Sequence, residues 1–305
     1  MISLSTCWRA KSGLTGREIV DLYGGLGFRF LEVEYRLSFE QVDDIAACVR
    51  EGRVSISSVH NYVPKIPGEG DTADGGDRFL LSSLDEASRR QAVEKTRRTL
   101  EWCERLASPA VVLHLGRVEA QASQHPLLDL VRADDGDSKE ADEIRRALVD
   151  ERARAAGPHL DQVVKSVKEI QKVAADLGIR VGLENRYYYR QIPSPEELEV
   201  LLAETDRRVV GYWHDVGHGQ VMEAMGLRGS LEHLEKAGDR LIGVHLHDIR
   251  GVDDHAAPGT GEFDFEILRP WLRPDTLRVV ELHPRVTEEE VVQGREFLES
   301  QGLLS

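Results

Sequence analysis

The fold is indicated by a stretch in which an apolar run ends abruptly in ionisable side chains: residues 241–248 have the sequence LIGVHLHD. Apolar runs of this length, rich in β-branched residues, are typical of parallel strands covered on both faces. The same change occurs in LEN at 183–185 and in WHD at 213–215. A parallel barrel brings the carboxyl ends of its strands together on one rim, and we expect these side chains to meet there.

Working outward from this stretch, strand-like runs alternate with amphipathic helical segments along the chain. Doubly wound sheets alternate in the same way, so alternation alone leaves both architectures open. Eight strand–helix units favour a single (β/α)8 TIM barrel over residues 1–305, with an acidic insertion near 119–150. The predicted strands are Ile2–Thr6, Phe30–Tyr35, Val54–Val59, Ala110–Leu113, Ile179–Leu183, Val209–Trp213, Leu241–His245 and Leu277–Leu282.

The composition restricts the class of partner. The chain has 305 residues and a formal net charge of −15, which disfavours DNA and anionic membrane surfaces as partners. An apolar run near 18 residues is missing, so we expect no membrane span. The three cysteines, Cys7, Cys48 and Cys103, are odd in number and far apart, which suits a reducing cytoplasm. We therefore expect a cytoplasmic protein that acts on a small molecule.

Histidines and carboxylates stand at the ends of six predicted strands. One histidine in such a position is more often structural than a metal ligand, but six ends repeat the pattern. Mixed imidazole and carboxylate donors suit Zn²⁺ or Mn²⁺ better than Ca²⁺ or Mg²⁺. The residues are His60, His114, Glu184, Asp215, His218, His245, His247 and Glu281.

These motifs resemble the xylose isomerase-like TIM-barrel superfamily, which includes sugar phosphate isomerases and epimerases and the endonuclease IV-like AP endonuclease family 2. The resemblance spans nearly the whole chain and includes DVGH at 215–218 and DDHAAPGTG at 253–261. In the epimerases, one metal ion is held by four residues at the ends of strands five to eight. The resemblance therefore implies four metal ligands: Glu184, Asp215, His245 and Glu281.

Endonuclease IV has five further ligands, which complete a three-zinc cluster. Each has a counterpart of the right residue type in this chain. The resemblance thus implies a cofactor of one to three ions, zinc or manganese. The five counterparts are His60, His114, His218, Asp253 and His255.

Two functions of different class follow. The first is a metal-dependent isomerase or epimerase of a sugar or sugar phosphate, in which Glu184 and Glu281 transfer protons on opposite faces of the substrate. Substrate oxygens would be held by His218, His247, Arg250 and Tyr187.

The second function is a di- or tri-zinc phosphoester hydrolase that acts on a small phosphodiester rather than on DNA. The additional histidines favour it, whereas the acidic composition and the commoner chemistry of the scaffold favour the isomerase. A third alternative is a metal-storing or structural barrel with a closed four-ligand site. The oligomeric state is left open by the sequence.

Overall fold

The computed structural model describes residues 2–65 and 77–303. Within these residues, eight parallel strands close into a barrel in the order β1-β2-β3-β4-β5-β6-β7-β10. The predicted TIM barrel is confirmed. The barrel strands are β1 (Ile2–Ser5), β2 (Phe30–Val33), β3 (Ser55–His60), β4 (Ala110–Leu113), β5 (Arg180–Glu184), β6 (Val210–Asp215), β7 (Leu241–Leu246) and β10 (Leu277–Val280).

Helices surround the barrel, and several begin at capping boxes that are legible in the sequence. Thr15 and Glu18 exchange hydrogen bonds at the start of α1, as do Ser194 and Glu197 at the start of α6. The helices are α1 (Gly16–Gly25), α2 (Phe39–Arg50), α3 (Glu86–Arg105), α4 (His125–Arg132), α5 (Lys139–Leu177), α6 (Pro195–Ala203), α7 (Val216–Ala224), α8 (Glu232–Ala237) and α9 (Glu288–Ser300).

Helix α5 is longer than the sequence predicts. Apolar residues at helical spacing predict a helix from Pro158 to Leu177, yet the helix begins at Lys139 and continues through the proline. An internal proline costs about 3 kcal/mol, because its ring removes an N–H donor and crowds the preceding turn. Leu148, Arg152 and His159 are buried at helical spacing on both sides of the proline. Burial of this continuous stripe offsets the cost.

The barrel interior has its own small core beneath the rim. Alternate residues of β4, Ala110 and Val112, point inward and pack around the buried ring of Trp213. Gly182 makes room for this ring, since a Cβ there would lie 2.9 Å from a Trp213 ring atom. The ring centre of His245 lies 5.3 Å above that of Trp213. The indole therefore forms an apolar floor under the ionisable side chains.

A two-stranded antiparallel hairpin lies outside the barrel, between β7 and β10. Its strands are β8 (Asp248–Arg250) and β9 (Asp253–Ala256). The sequence did not predict it, because strands of three and four residues rich in charge lack the apolar alternation of a strand. The hairpin carries the DDH segment to the rim. Within residues 2–65 and 77–303, none of the helices has the length and apolar character needed to cross a membrane.

Candidate metal centre

The ionisable side chains from the strand ends form three groups whose ligand atoms, within each group, lie within 4.8 Å of one another. Two residues each belong to two groups, so the three groups are continuous. The first group is His60, His114 and Glu184; the central group is Glu184, Asp215, His245 and Glu281; the third group is Asp215, His247 and His255.

The central group surrounds the Nδ1 atom of His245. This nitrogen lies 2.9 Å from Glu184 Oε1, 3.0 Å from Glu281 Oε2 and 3.6 Å from Asp215 Oδ2. One imidazole nitrogen offers a single proton or a single lone pair, so it cannot satisfy three carboxylates. Asp215 Oδ2 is buried without a hydrogen-bond partner among the described residues. A divalent cation fits this donor set, since it would bind the imidazole and neutralise the carboxylates together.

The other ring nitrogen of His245 is held by Glu32. Nε2 lies 3.1 Å from Glu32 Oε2, and the same oxygen accepts a hydrogen bond of 2.8 Å from Ser58 Oγ. The register of β2 on β3 shifts between Leu31 and Glu32, and bulges of this kind re-aim side chains. A carboxylate behind a ligating histidine fixes the ring orientation and raises its basicity. His245 thus presents Nδ1 to the carboxylates.

The charges around the central group favour a positive charge at His245. Burial alone would raise the pKa of Glu184, but the Arg186 guanidinium holds that pKa well below its usual range. Burial likewise opposes ionisation of Glu281, yet His245 and His255 lower its pKa. For His245, burial is outweighed by Glu281 and Glu32, which raise its pKa well above the ordinary value. The carboxylates are therefore ionised and attract either a proton or a metal cation to His245.

The first group already contains a cation. Arg186 Nη1 donates to Glu184 Oε2 at 2.6 Å and also contacts Nε2 of His114. His114 Nε2 lies 2.9 Å, and His60 Nε2 3.7 Å, from the same Glu184 oxygen. Asp77 lies on the far side, with Oδ2 3.5 Å from Arg186 Nη2. His60 and His114 therefore both lie near Glu184 Oε2, and a guanidinium contacts His114 there.

In the third group, His247 supports Asp215. The Nδ1 atom of His247 accepts a hydrogen bond of 2.8 Å from the backbone N–H of His255. Its Nε2 lies 3.0 Å from Asp215 Oδ1 and 3.2 Å from the backbone nitrogen of Gly217. This arrangement favours His247 as an orienting residue for Asp215 and differs from the predicted contact with substrate. His218 donates from Nδ1 to the carbonyl of Asn185 at 3.0 Å, which leaves its Nε2 facing Asp254 Oδ2 at 3.9 Å.

Asp253, predicted by resemblance as a ligand, lies outside the three groups. Its side chain is 63% exposed, and Oδ1 accepts from Arg132 Nη2 at 3.0 Å. Alternation along β9 would place Asp253 and His255 on one face. His255 instead has a φ of +62°, and this left-handed backbone breaks the alternation. Asp254 thereby takes the inward position, 3.0 Å from His255 Nδ1.

The residues predicted to bind substrate lie around the third group. The ring of Tyr187 lies 6.0 Å from that of His218, and its hydroxyl donates to the carbonyl of Val252. Arg250 lines a cavity of about 340 Å³ together with Arg285 and His255. A neighbouring cavity of about 260 Å³ is lined by Lys11, Arg36, His255 and Glu281. The two cavities share His255 and give the rim its access to solvent.

The sequence indicates no role for Arg186 or Asp254, and it leaves two alternatives open for Glu32. Glu32 and Glu34 are two apart, which predicts one face of β2, with the side chains in the barrel mouth or paired with a nearby arginine. Glu32 takes the first alternative and Glu34 the second, since Glu34 pairs with Arg36 at 2.8 Å. One feature of the sequence could have indicated a role for Arg186: it stands two residues after Glu184, where a cation can reach a ligand carboxylate.

Comparisons with known proteins agree with the fold. The family model described as "Xylose isomerase-like TIM barrel" matches residues 20–301. An uncharacterised protein of Methanocaldococcus jannaschii is 29% identical over 191 residues, which are 61% of this chain and 54% of that protein. The match thus spans about half of that relative's length.

Two solved structures are similar over nearly their whole length. The 3-keto-D-glucoside 4-epimerase of E. coli superposes with a TM-score of 0.68 at 19% identity, covering 98% of each chain. The IOLI protein, solved with a bound zinc atom, superposes with a TM-score of 0.64 at 16% identity, covering 100% of this chain and 98% of the other. At these identities the likeness establishes the fold alone.

Proposed function

Because the chain belongs to the xylose isomerase-like TIM barrel family, we propose that it is a divalent-metal-dependent isomerase or epimerase of a sugar or sugar phosphate. The observation that carries the proposal is the central group, where three carboxylates approach one nitrogen of His245. The names of the epimerase and zinc-bound structures support it. When bound there, a divalent ion supplies Lewis-acid polarisation of a substrate carbonyl.

Glu184 and Glu281 are the proton-transfer groups in this proposal. They come from β5 and from the residue after β10, which are separated in the barrel by β6 and β7, so they approach a substrate from different sides. Both have lowered pKa values and are carboxylates at neutral pH, the form that accepts a proton from carbon. Glu281 lines the 260 Å³ cavity, so it has the more direct access to substrate.

The surroundings of the cavities support a substrate that carries negative charge. The chain has a net charge of −15, yet the 260 Å³ cavity beside Glu281 has two cationic side chains in its wall, Lys11 and Arg36. Such cations favour a phosphate or carboxylate substituent. This supports a sugar phosphate over a neutral sugar.

Proton exchange in D₂O tests this function directly. The metal-loaded protein is incubated with a panel of ketoses, aldoses and their phosphates, and loss of the exchanging C–H signal is followed by NMR. We expect Glu184→Gln and Glu281→Gln to slow exchange by about 10²–10⁴-fold at matched metal content, because each removes a proton-transfer group.

The matched control is Glu289→Gln, which changes an exposed glutamate of α9 and should leave exchange unchanged. Metal-loaded protein that exchanges no C–H proton in any member of the panel would refute the isomerase assignment.

A second function, hydrolysis of a small phosphodiester, is favoured by one specific observation. The three donor groups are continuous through Glu184 and Asp215, as a cluster of metal ions requires. The same metal-loaded sample should then cleave bis(p-nitrophenyl) phosphate. Arg186 in the first group argues against a full cluster, which is why the isomerase is preferred.

A further inference from the structure

Unlike the central group, the first group already contains a cation, the guanidinium of Arg186. The donor atoms of the first group converge on Glu184 Oε2, which lies 2.9 Å from His114 Nε2 and 3.7 Å from His60 Nε2. Arg186 Nη1 contacts two of these three atoms. The guanidinium therefore occupies the place from which a metal ion would bind the same lone pairs.

The chemistry of arginine excludes a metal ion from the first group while the guanidinium is there. A guanidinium is always protonated and only donates hydrogen bonds, so the His114 nitrogen that it contacts must accept. That lone pair is then engaged and cannot bind an ion. A second cation beside a buried guanidinium would also be repelled, strongly so where water is excluded. The Arg186 side chain is only 9% exposed.

Arg186 is fixed from both sides. On one side is Glu184, and on the other Asp77, whose carboxylate also accepts from the side chain of Gln191. The backbone downstream is tied to α5, since Arg152 donates to the carbonyls of Tyr189 and Gln191 at 2.8 and 3.1 Å. The guanidinium is thus an anchored part of the site.

We propose that Arg186 is the resident cation of the first group: His114 and the outer oxygen of Glu184 bind the guanidinium, and neither they nor His60 bind a metal ion in that group. Glu184 is then divided between two cations: Oε1 faces His245 at 2.9 Å and Oε2 faces Arg186 at 2.6 Å. This inference rests on the proposed metal site in the central group. It implies that Arg186 sets the metal count, and that a three-ion cluster cannot assemble in the native chain.

The test counts metal ions per chain in protein loaded with excess Co²⁺ and freed of unbound metal by gel filtration. Arg186→Ala should raise the count by one, because it exposes the donors of the first group. In the native background His114→Gln should change nothing, whereas in the Arg186→Ala background it should remove the added ion. Arg190→Ala, an exposed arginine of the same loop, should leave the count at the native value.

The test depends on the differences in the number of Co²⁺ ions per chain between the variants. Loss of an ion in His114→Gln alone, or no gain in Arg186→Ala, would overturn the assignment of Arg186. If Arg186→Ala does not fold, the comparison of the native chain with His114→Gln still decides. Failure of the proposed metal site looks different, because the native chain would then bind no Co²⁺ and Glu281→Gln would not lower the count.

Discussion

At the scale of the residue, Glu32 determines how His245 meets the central group. It is fully buried, accepts from Ser58 and contacts Nε2 of His245 at 3.1 Å. Glu32→Gln keeps the size of the side chain but removes the charge that orients the ring and raises its basicity. We predict a 10–100-fold weaker affinity for Zn²⁺, measured by competition with a chromophoric chelator. The matched control is Glu34→Gln, a buried glutamate paired with Arg36, which should stay within about threefold of the native affinity. If Glu32→Gln and the native chain bind Zn²⁺ with equal affinity, Glu32 does not orient His245 for metal binding.

At the scale of the element, the early part of α5 is joined to α6 by a buried ion pair. Arg152 donates to both carboxylate oxygens of Glu197 at 2.9 and 2.7 Å, and both side chains are at most 8% exposed. Arg152→Met would leave Glu197 as an uncompensated buried charge, so we predict a loss of about 3–5 kcal/mol in unfolding free energy, measured in urea. Arg152→Met combined with Glu197→Gln should recover part of that loss. Arg154→Met, at an exposed position of the same helix, should change the unfolding free energy by less than about 0.5 kcal/mol. A loss no larger than in Arg154→Met would mean that the pair does not hold these helices together.

At the scale of the whole molecule, the sequence predicted the barrel because eight apolar runs alternate with helical segments and six of those runs have ionisable ends, and both features are local. All eight barrel strands lie close to their predicted ranges. The β8–β9 hairpin could not be predicted, since its short strands are charged and, among the described residues, pair only with each other. The extent of α5 was also hidden, because Pro158 has the local pattern of a helix start.

The same contrast applies within the candidate site. The central group consists of strand ends that a barrel must bring together, and the resemblance to the epimerases selected its four members from the strand-end candidates. The guanidinium of Arg186 in the first group depends on how one loop folds back onto the rim. The choice of Asp254 over Asp253 depends on a single positive φ at His255. Neither feature has a periodic signal in the sequence.

The central claim is that one divalent ion binds in the central group, and anomalous scattering from a crystal grown with saturating Zn²⁺ tests it most directly. We predict a zinc peak at about 2.0–2.2 Å from one atom each of Glu184, Asp215, His245 and Glu281. Zinc bound elsewhere while these four side chains remain without a metal ion, or no zinc peak at the rim at all, would contradict the claim.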